Sequence, residues 1–248
     1  MIVLNEEDKQ LLRAVVDVLI EHKKDMMPYP LEKQNPLALA NIIRGDSSKE
    51  NLKKILIFSC QWRGGPRLNV QEMNAILKQF DNSYDVITEE ILPNFDGQKS
   101  TDKIYEQLTN INGLGSKTVG VYLRDLAVHF DIWNQLLPYL YQPVDRHIRA
   151  LLAKDYYVRL SNGRKRHYTG QLQIFEDEDI PKPSESFFSS RKNRNFQKIL
   201  LEIHSPRVDF DGLWFVGANF CSFRKMCPLC WIRDFCKNRF EDADSLRL

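Results

Sequence analysis

The chain has 248 residues, enough for one large domain or two smaller lobes, each with a buried core. Hydrophobic residues make up 43% of it and charged residues 27%, a balance that excludes a largely disordered protein. The formal net charge is only +2, so binding to a polyanion would depend on local basic runs such as 158–168 and 189–198 rather than on the whole chain.

The first residues lack the basic start and apolar run of a secretory signal, and no stretch approaches the roughly 18 apolar residues of a membrane span. We therefore expect a cytoplasmic protein with no membrane partner. Four of the five cysteines lie between residues 221 and 236. In a reducing compartment, such a cluster favours metal ligation over disulfides.

Helical patterns dominate the chain. Apolar residues near helical spacing predict a long amphipathic helix from Glu7 to about Met26, ended by Pro28 and Pro30. Ser47 or Ser48 is a candidate N-cap further along. Other segments with a helical pattern follow, in chain order, at 35–43, 48–62, 69–80, 83–92, 100–111, 116–123, 146–154 and 196–205.

Strand signals are scarce. Only 156–160 and 171–175 have an extended pattern, and they predict a small hairpin around the turn-rich stretch between them. The segment 176–195, rich in charge, Ser and Pro, is predicted to be a loop or an insertion. The fold class expected from these patterns is mostly α.

The segment "INGLGSKT", residues 111–118, predicts a tight turn between two helices. Gly113 and Gly115 permit positive φ, and the next helix opens at Ser116 or Lys117. Backbone N–H groups at such a helix start can bind a phosphate without contacting the base. The alternative is a plain structural turn, in which Lys117 is a solvated residue or a simple phosphate contact.

A carboxylate precedes the later helix. In "QPVDRHIRALLAK", residues 142–154, Asp145 stands where an N-cap is expected. Backbone N–H groups at a helix start would also keep that carboxylate ionised, so it could serve as a structural cap or as a functional charge.

The cysteines have the pattern C-x5-C-x2-C-x5-C. Structural zinc sites usually use two close ligand pairs, whereas a [4Fe–4S] cluster accepts four thiolates at looser spacing. Zinc remains the alternative. The four candidate ligands are Cys221, Cys227, Cys230 and Cys236.

Together, "INGLGSKT" and "VDRH" resemble two motifs of the helix-hairpin-helix DNA glycosylases of the endonuclease III type, in the right order. The resemblance implies that Lys117 is the nucleophile and Asp145 the essential carboxylate, as in the bifunctional branch of the family. It also implies DNA contacts from the hairpin, and it makes Gln61, in "FSCQW", a candidate wedge beside the flipped base. The implied hairpin contacts are Gly113, Gly115, Ser116 and Thr118.

Enzymes of this type end in a similar four-cysteine loop, with six residues in the first gap instead of the five found here. The resemblance implies a [4Fe–4S] cluster with a structural and electrostatic role. Arg224 and Lys225 lie among the ligands, so we expect the loop to present positive charge to the DNA backbone.

The resemblance further implies a two-lobed helix-hairpin-helix glycosylase fold with the active cleft between the lobes. One lobe is expected at 31–138, with the hairpin motif at about 104–124. The other combines 1–30 with 139–248, and it contains an insertion at about 155–195 and the cluster loop at 221–236. The additional segment 129–142 carries aromatic residues that could stack on a flipped base, although core packing is the alternative for at least two of them: Trp133, Tyr139 and Tyr141.

The expected function is base excision repair: removal of a damaged, oxidised base from double-stranded DNA, followed by strand nicking through a lysine Schiff base. The expected partner is duplex DNA with a damaged or abasic nucleotide, bound by a monomer associated with the nucleoid. Two alternatives remain. One is a monofunctional glycosylase in which Asp145 activates water, and the other is a non-catalytic DNA-binding module with a structural metal.

Overall fold

The structure is a computed structural model of the chain. It describes residues 4–22, 39–62, 68–142, 144, 146–159, 165–180, 191–203, 213, 216–217 and 229–237, and the statements below concern these residues.

The chain divides into two compact units. The hairpin unit comprises Pro28–Pro143 and Pro183–Ser190, and the terminal unit comprises Met1–Met27, Val144–Lys182 and Arg191–Leu248. The lobe predicted at 31–138 lies within the hairpin unit. The boundary after residue 143 falls later than the predicted one because Tyr141 is bonded to residues of the hairpin unit, as described below.

The described residues are mostly helical, with one two-stranded hairpin. The α-helices are α1 (Glu6–Glu21), α2 (Lys49–Trp62), α3 (Val70–Val86), α4 (Gln98–Thr109), α5 (Ser116–Arg124), α6 (Arg146–Leu152) and α7 (Arg191–Ile203), and the strands are β1 (Asp155–Arg159) and β2 (Lys165–Thr169). π-Helical turns at Ile87–Ile91 and Asp125–His129 extend α3 and α5, and short 3-10 helices lie at Leu92–Asn94, Asn134–Tyr139 and Arg233–Phe235. No described helix is long and apolar enough to cross a bilayer.

The helices predicted at 69–80 and 83–92 are one continuous helical run. Asn69 and Glu72 form a reciprocal capping box at its start. The predicted break at Asp81 is wrong, because this side chain forms an ion pair with Lys53 of α2 at 2.7 Å instead of competing for its own backbone.

Helix α5 is the most enclosed element of the hairpin unit. Its apolar residues Val119, Tyr122 and Leu123 are fully buried. The Tyr122 ring meets Phe80 of α3 edge to face at 6.0 Å, and its hydroxyl donates to the carbonyl of Leu52 in α2 at 3.4 Å. These contacts fix the position of the helix that follows the glycine turn.

The terminal unit has an apolar core of its own. Helix α1 begins at the N-cap Asn5, whose side chain accepts from the N–H of Asp8. The core joins α1, α6, α7 and the segments 172–180 and 230–236; its larger members are Leu12, Leu19, Ile148, Leu151, Phe175, Phe196 and Ile232.

The predicted β-hairpin exists, but its second strand is β2 rather than 171–175. Residues 171–175 continue along the end of α6, where the N–H of Leu172 donates to the carbonyl of Leu151 at 2.8 Å. Gly170 allows this approach, since a Cβ there would lie 1.9 Å from the carbonyl oxygen of Ala153. Phe175 forms an isolated parallel bridge with Ala153, but 171–175 do not pair as a strand of the hairpin. The strand prediction failed because the apolar residues of this segment are buried in the core.

Helix α7 starts at Arg191, earlier than the predicted 196, so the loop predicted at 176–195 ends sooner. The start of α7 was missed because the buried residues of its first turns include polar ones, whereas a helix is predicted from the spacing of apolar residues. Asn193 and Gln197 are both buried and are hydrogen-bonded to each other at 3.4 Å.

Candidate functional site

The turn between α4 and α5 has a buried side and an exposed tip. Ile111 and Leu114 are buried, and the N–H of Leu114 donates to the carbonyl of Ile111 at 3.0 Å. Asn112, Gly113 and Gly115 are exposed. The N–H of Asn112 donates to the side chain of Gln79 in α3 at 3.1 Å. The buried residues and the bond to Gln79 therefore hold the turn in place, while its exposed residues leave the backbone accessible.

The conformation and surroundings of the two glycines differ. Gly113 has φ +98°, and a Cβ there would lie 3.0 Å from Ile76 Cδ1. Gly115, the N-cap of α5, has φ −84° and ψ 164°, which any residue can adopt, and a Cβ there would meet nothing within 4 Å. The prediction that both glycines serve positive φ is thus wrong for Gly115. Its bare backbone is instead an open surface that a ligand could approach closely.

Lys117 lies in the first turn of α5 and is partly exposed. The first turn contains no acidic side chain, so the positive end of the helix dipole is not offset there. Ser116 and Thr118, predicted as DNA contacts together with the glycines, are each only 7% exposed. The parts of this segment that face solvent are therefore the backbone of the turn and, in part, Lys117, more than the two hydroxyl-bearing residues.

Gln61 is exposed at the end of α2, directly after two buried residues, Ser59 and Cys60. Burial raises the pKa of the Cys60 thiol to about 12, so this thiol stays neutral at physiological pH. A buried, neutral thiol of this kind behaves as an inert core residue.

A buried ionic cluster that the sequence analysis did not identify connects α2 to the π-helical turn after α5. Asp125 is fully buried, and its carboxylate accepts from the Ser59 hydroxyl at 2.9 Å. The other carboxylate oxygen pairs with the guanidinium of the buried Arg124 at 2.9 Å, and His129 Nε2 lies 4.0 Å from it. The available signal was a charged pair, Arg124 and Asp125, inside the otherwise apolar run 119–128.

The aromatic residues of 133–141 are mostly packed against the hairpin unit. Trp133 is buried, and the ring of Tyr139 lies against Gly97, where a Cβ would be 3.1 Å away. Tyr141 donates its hydroxyl to Asp102, while its N–H donates to the hydroxyl of Tyr105 at 2.9 Å. Burial and the neighbouring Asp102 carboxylate raise the pKa of Tyr141. These contacts favour the core-packing alternative over base stacking.

Asp145 lies outside the described residues, so its role as an N-cap stays a prediction. Its neighbour Val144 is buried, and α6 begins at Arg146, one residue after it. Gln142, three residues before Asp145, is buried as well, and so is His147, two residues after it. Described residues before and after Asp145 are therefore buried.

Of the four cysteines, Cys230 and Cys236 are described, whereas Cys221 and Cys227, with Arg224 and Lys225, lie outside the described residues. Both described thiols are buried in the core of the terminal unit, and Cys236 Sγ donates to the carbonyl of Ile232 at 3.5 Å. Within the described ranges, no group of three or more potential metal ligands assembles. Two buried thiols on one short turn suit the all-thiolate, water-shielded donor set of an iron–sulfur cluster.

Side chains of α1 hold this turn at two points. The Lys237 ammonium lies 3.4 Å from the Asp8 carboxylate, and the Trp231 ring stacks parallel on His22 at 4.8 Å. The N–H of Lys237 also donates to the carbonyl of Gln171 at 2.9 Å. The segment 230–237 is thereby an integral part of the terminal unit.

No family model matched the chain, and neither did any curated protein or solved structure. The assignment of function therefore depends on the motifs and on the geometry described above. Of the predicted site residues, the hairpin residues and Gln61 belong to the hairpin unit, and Asp145 and the cysteines belong to the terminal unit.

Proposed function

We propose that the protein is a DNA glycosylase with AP-lyase activity, which removes a damaged base from duplex DNA and nicks the strand through Lys117. The observation that carries this proposal is the position of Lys117. Lys117 is a partly exposed residue in the first turn of α5, directly after an exposed backbone turn whose second glycine is required by neither backbone conformation nor space within the protein.

The turn accounts for binding without sequence preference. Exposed amides at Gly113 and Gly115 can hydrogen-bond to phosphate oxygens, and the positive end of the α5 dipole adds to the attraction. With its phosphate held at the turn, a damaged nucleotide flipped out of the duplex would reach Lys117. Gln61 would fill the space that this nucleotide leaves in the base stack.

The chemistry assigns distinct roles to two side chains. The amine of Lys117 attacks C1′ of the sugar as the bond from C1′ to the base breaks, and the base departs with a proton that the attacking nitrogen gives up. The Asp145 carboxylate stabilises the positive charge that develops on the sugar. The C1′–O4′ bond of the sugar ring then breaks and O4′ takes a proton, which leaves a Schiff base between Lys117 Nζ and C1′. Loss of a C2′ proton from this Schiff base expels the 3′ phosphate.

The candidate cluster ligands are Cys221, Cys227, Cys230 and Cys236. A [4Fe–4S] cluster held by them would give the loop structural order, and neither base removal nor β-elimination needs a redox change from it. Arg224 and Lys225 contribute the charge that this loop would place near the DNA backbone.

The test is to incubate the protein with DNA containing an abasic site and to add borohydride, which reduces a Schiff base to a stable covalent adduct. We expect the unchanged protein and Lys103→Ala, an exposed lysine on α4, to form the adduct. Lys117→Ala should form none. On a second duplex that carries a damaged base, base release without an adduct would identify the monofunctional alternative, and binding to both duplexes without either reaction would identify the non-catalytic module.

A further inference from the structure

The ionic cluster formed by Ser59, Arg124 and Asp125 lies wholly inside the hairpin unit. Asp125 has 0% of its surface exposed, Ser59 1% and Arg124 6%. Burying such charges costs free energy that apolar side chains of similar size would not, and buried ion pairs are often neutral or worse for stability. Stability is therefore a poor explanation for this cluster. A role in positioning the segments that it joins explains it more directly.

The cluster joins two segments that carry candidate functional residues. On one side is the last turn of α2, where Ser59 is followed by the buried Cys60 and the exposed Gln61. On the other side is the continuous helical run 116–129, which begins beside Lys117 and contains Asp125 in its π-helical turn. π-Helical turns inside helices are rare and frequently lie at functional sites.

The hydrogen bond from Ser59 to Asp125 is a specific connection between these segments. Apolar contacts also hold α2 against α5, but they tolerate sliding better than a 2.9 Å hydrogen bond to a fully buried carboxylate. The Arg124 guanidinium holds the other oxygen of that carboxylate, so the acceptor cannot turn away from Ser59 without losing an ion pair.

We propose that Ser59 and Asp125 are positioning residues that fix the end of α2 so that Gln61 enters the duplex in register with Lys117. This inference rests on the proposed glycosylase function. Neither residue touches DNA. Ser59 acts through Gln61, so the effects of the two residues on the insertion step are energetically coupled. Neither residue takes part in the reaction of the Lys117 amine.

The experiment measures insertion directly. The duplex contains a stable tetrahydrofuran abasic analogue beside 2-aminopurine, whose fluorescence rises when its stacking is broken. We expect Gln61→Ala and Ser59→Ala each to slow the rise about tenfold, a factor that corresponds to about 1.4 kcal/mol. The double variant should behave like Gln61→Ala alone, because residues that act through one another are not additive.

Ser83→Ala is the matched control, since it removes another buried serine hydroxyl of the hairpin unit, bonded to the carbonyl of Gln107 at 3.3 Å. It should leave the fluorescence change intact. Equal slowing by Ser59→Ala and Ser83→Ala, additive effects of Ser59→Ala and Gln61→Ala, or no effect of Ser59→Ala would overturn the inference. Asp125→Asn, which keeps an acceptor for Ser59, provides a second variant and should slow insertion less than Ser59→Ala does.

Borohydride trapping on true abasic DNA separates this inference from the proposed function. If the unchanged protein forms no adduct, the proposed function fails regardless of the fluorescence result. If the adduct forms and Ser59→Ala also reaches full trapping at long times, the amine is intact and any slowing of insertion belongs to the positioning of Gln61.

Discussion

The two glycines of the hairpin turn predict opposite responses to the same substitution. Gly113→Ala would place a side chain at φ +98° and a Cβ 3.0 Å from Ile76 Cδ1. The left-handed conformation costs an L-residue roughly 1–2 kcal/mol, and the Ile76 side chain has to shift in addition. We therefore expect the free energy of unfolding to fall by about 2 kcal/mol.

Gly115→Ala would meet no such obstacle, because φ is −84° and the space around the added Cβ is open. Alanine is a poorer N-cap than glycine, a loss of roughly 0.5 kcal/mol, but it also reduces the entropy of the unfolded chain by a similar amount. Stability should stay within about 0.5 kcal/mol. The methyl group would instead stand where a phosphate approaches the backbone, so duplex binding should weaken about fivefold.

Urea denaturation and a duplex-binding titration of both variants decide between these expectations. At a typical slope of roughly 1–3 kcal/mol per molar urea, Gly113→Ala should lower the midpoint by about 1 M, and Gly115→Ala should leave it nearly unchanged. The reasoning is refuted if Gly115→Ala destabilises the protein as much as Gly113→Ala does, or if it binds duplex as tightly as the unchanged protein.

Three further predictions follow from the proposed chemistry and from burial. Asp145→Asn should lower base excision by ~10²-fold or more, because the charge that stabilises the sugar cation is lost, yet it should still be trapped on abasic DNA, unlike Lys117→Ala; loss of trapping in Asp145→Asn would contradict the separate roles. Protein purified without oxygen should be brown and contain about four irons, whereas colourless protein with one zinc would refute the cluster, and Cys227→Ala should weaken DNA binding. Burial raises the pKa of Cys60 from an ordinary 9.0 to about 12, so between these values only the unfolded state releases the thiol proton. The free energy of unfolding should therefore fall as pH rises from 9 to 12. Cys60→Ala should lack this part of the pH dependence, and a profile identical to that of the unchanged protein would show that the thiol is not shielded.

Local patterns predicted the helices well where spacing and caps agree. The start of α2 at Ser48 followed from its cap, and the Ser48 hydroxyl does accept from the N–H of Asn51 at 3.4 Å. The predicted break near Asp81 and the predicted strand at 171–175 were wrong, because partners distant in sequence decide both. The Asp81 carboxylate forms an ion pair with Lys53, and the backbone of 171–175 is hydrogen-bonded to the end of α6. Such pairings are not encoded in local spacing.

The same limit applies to the candidate site. The pattern Gly-x-Gly gave the turn and its position but could not distinguish Gly113 from Gly115, since φ depends on packing against Ile76. Asp125 escaped notice because a charged residue on a helix is ordinarily solvated, and only the fold shows that Ser59 and Arg124 enclose it.

The contacts of α1 with the segment 230–237 have a consequence for synthesis of the chain. Asp8 and Lys237 are 229 positions apart in sequence, and at roughly 5–20 residues per second the ribosome needs on the order of 10 to 50 seconds to make the stretch between them. During that time the apolar face of α1, with Leu12, Val15 and Leu19, has emerged without its final partners, while the uninterrupted stretch 28–143 is already complete. Helix α1 is thus made before many of the residues that cover it, and a chaperone that binds its apolar face would protect the newborn chain during that time.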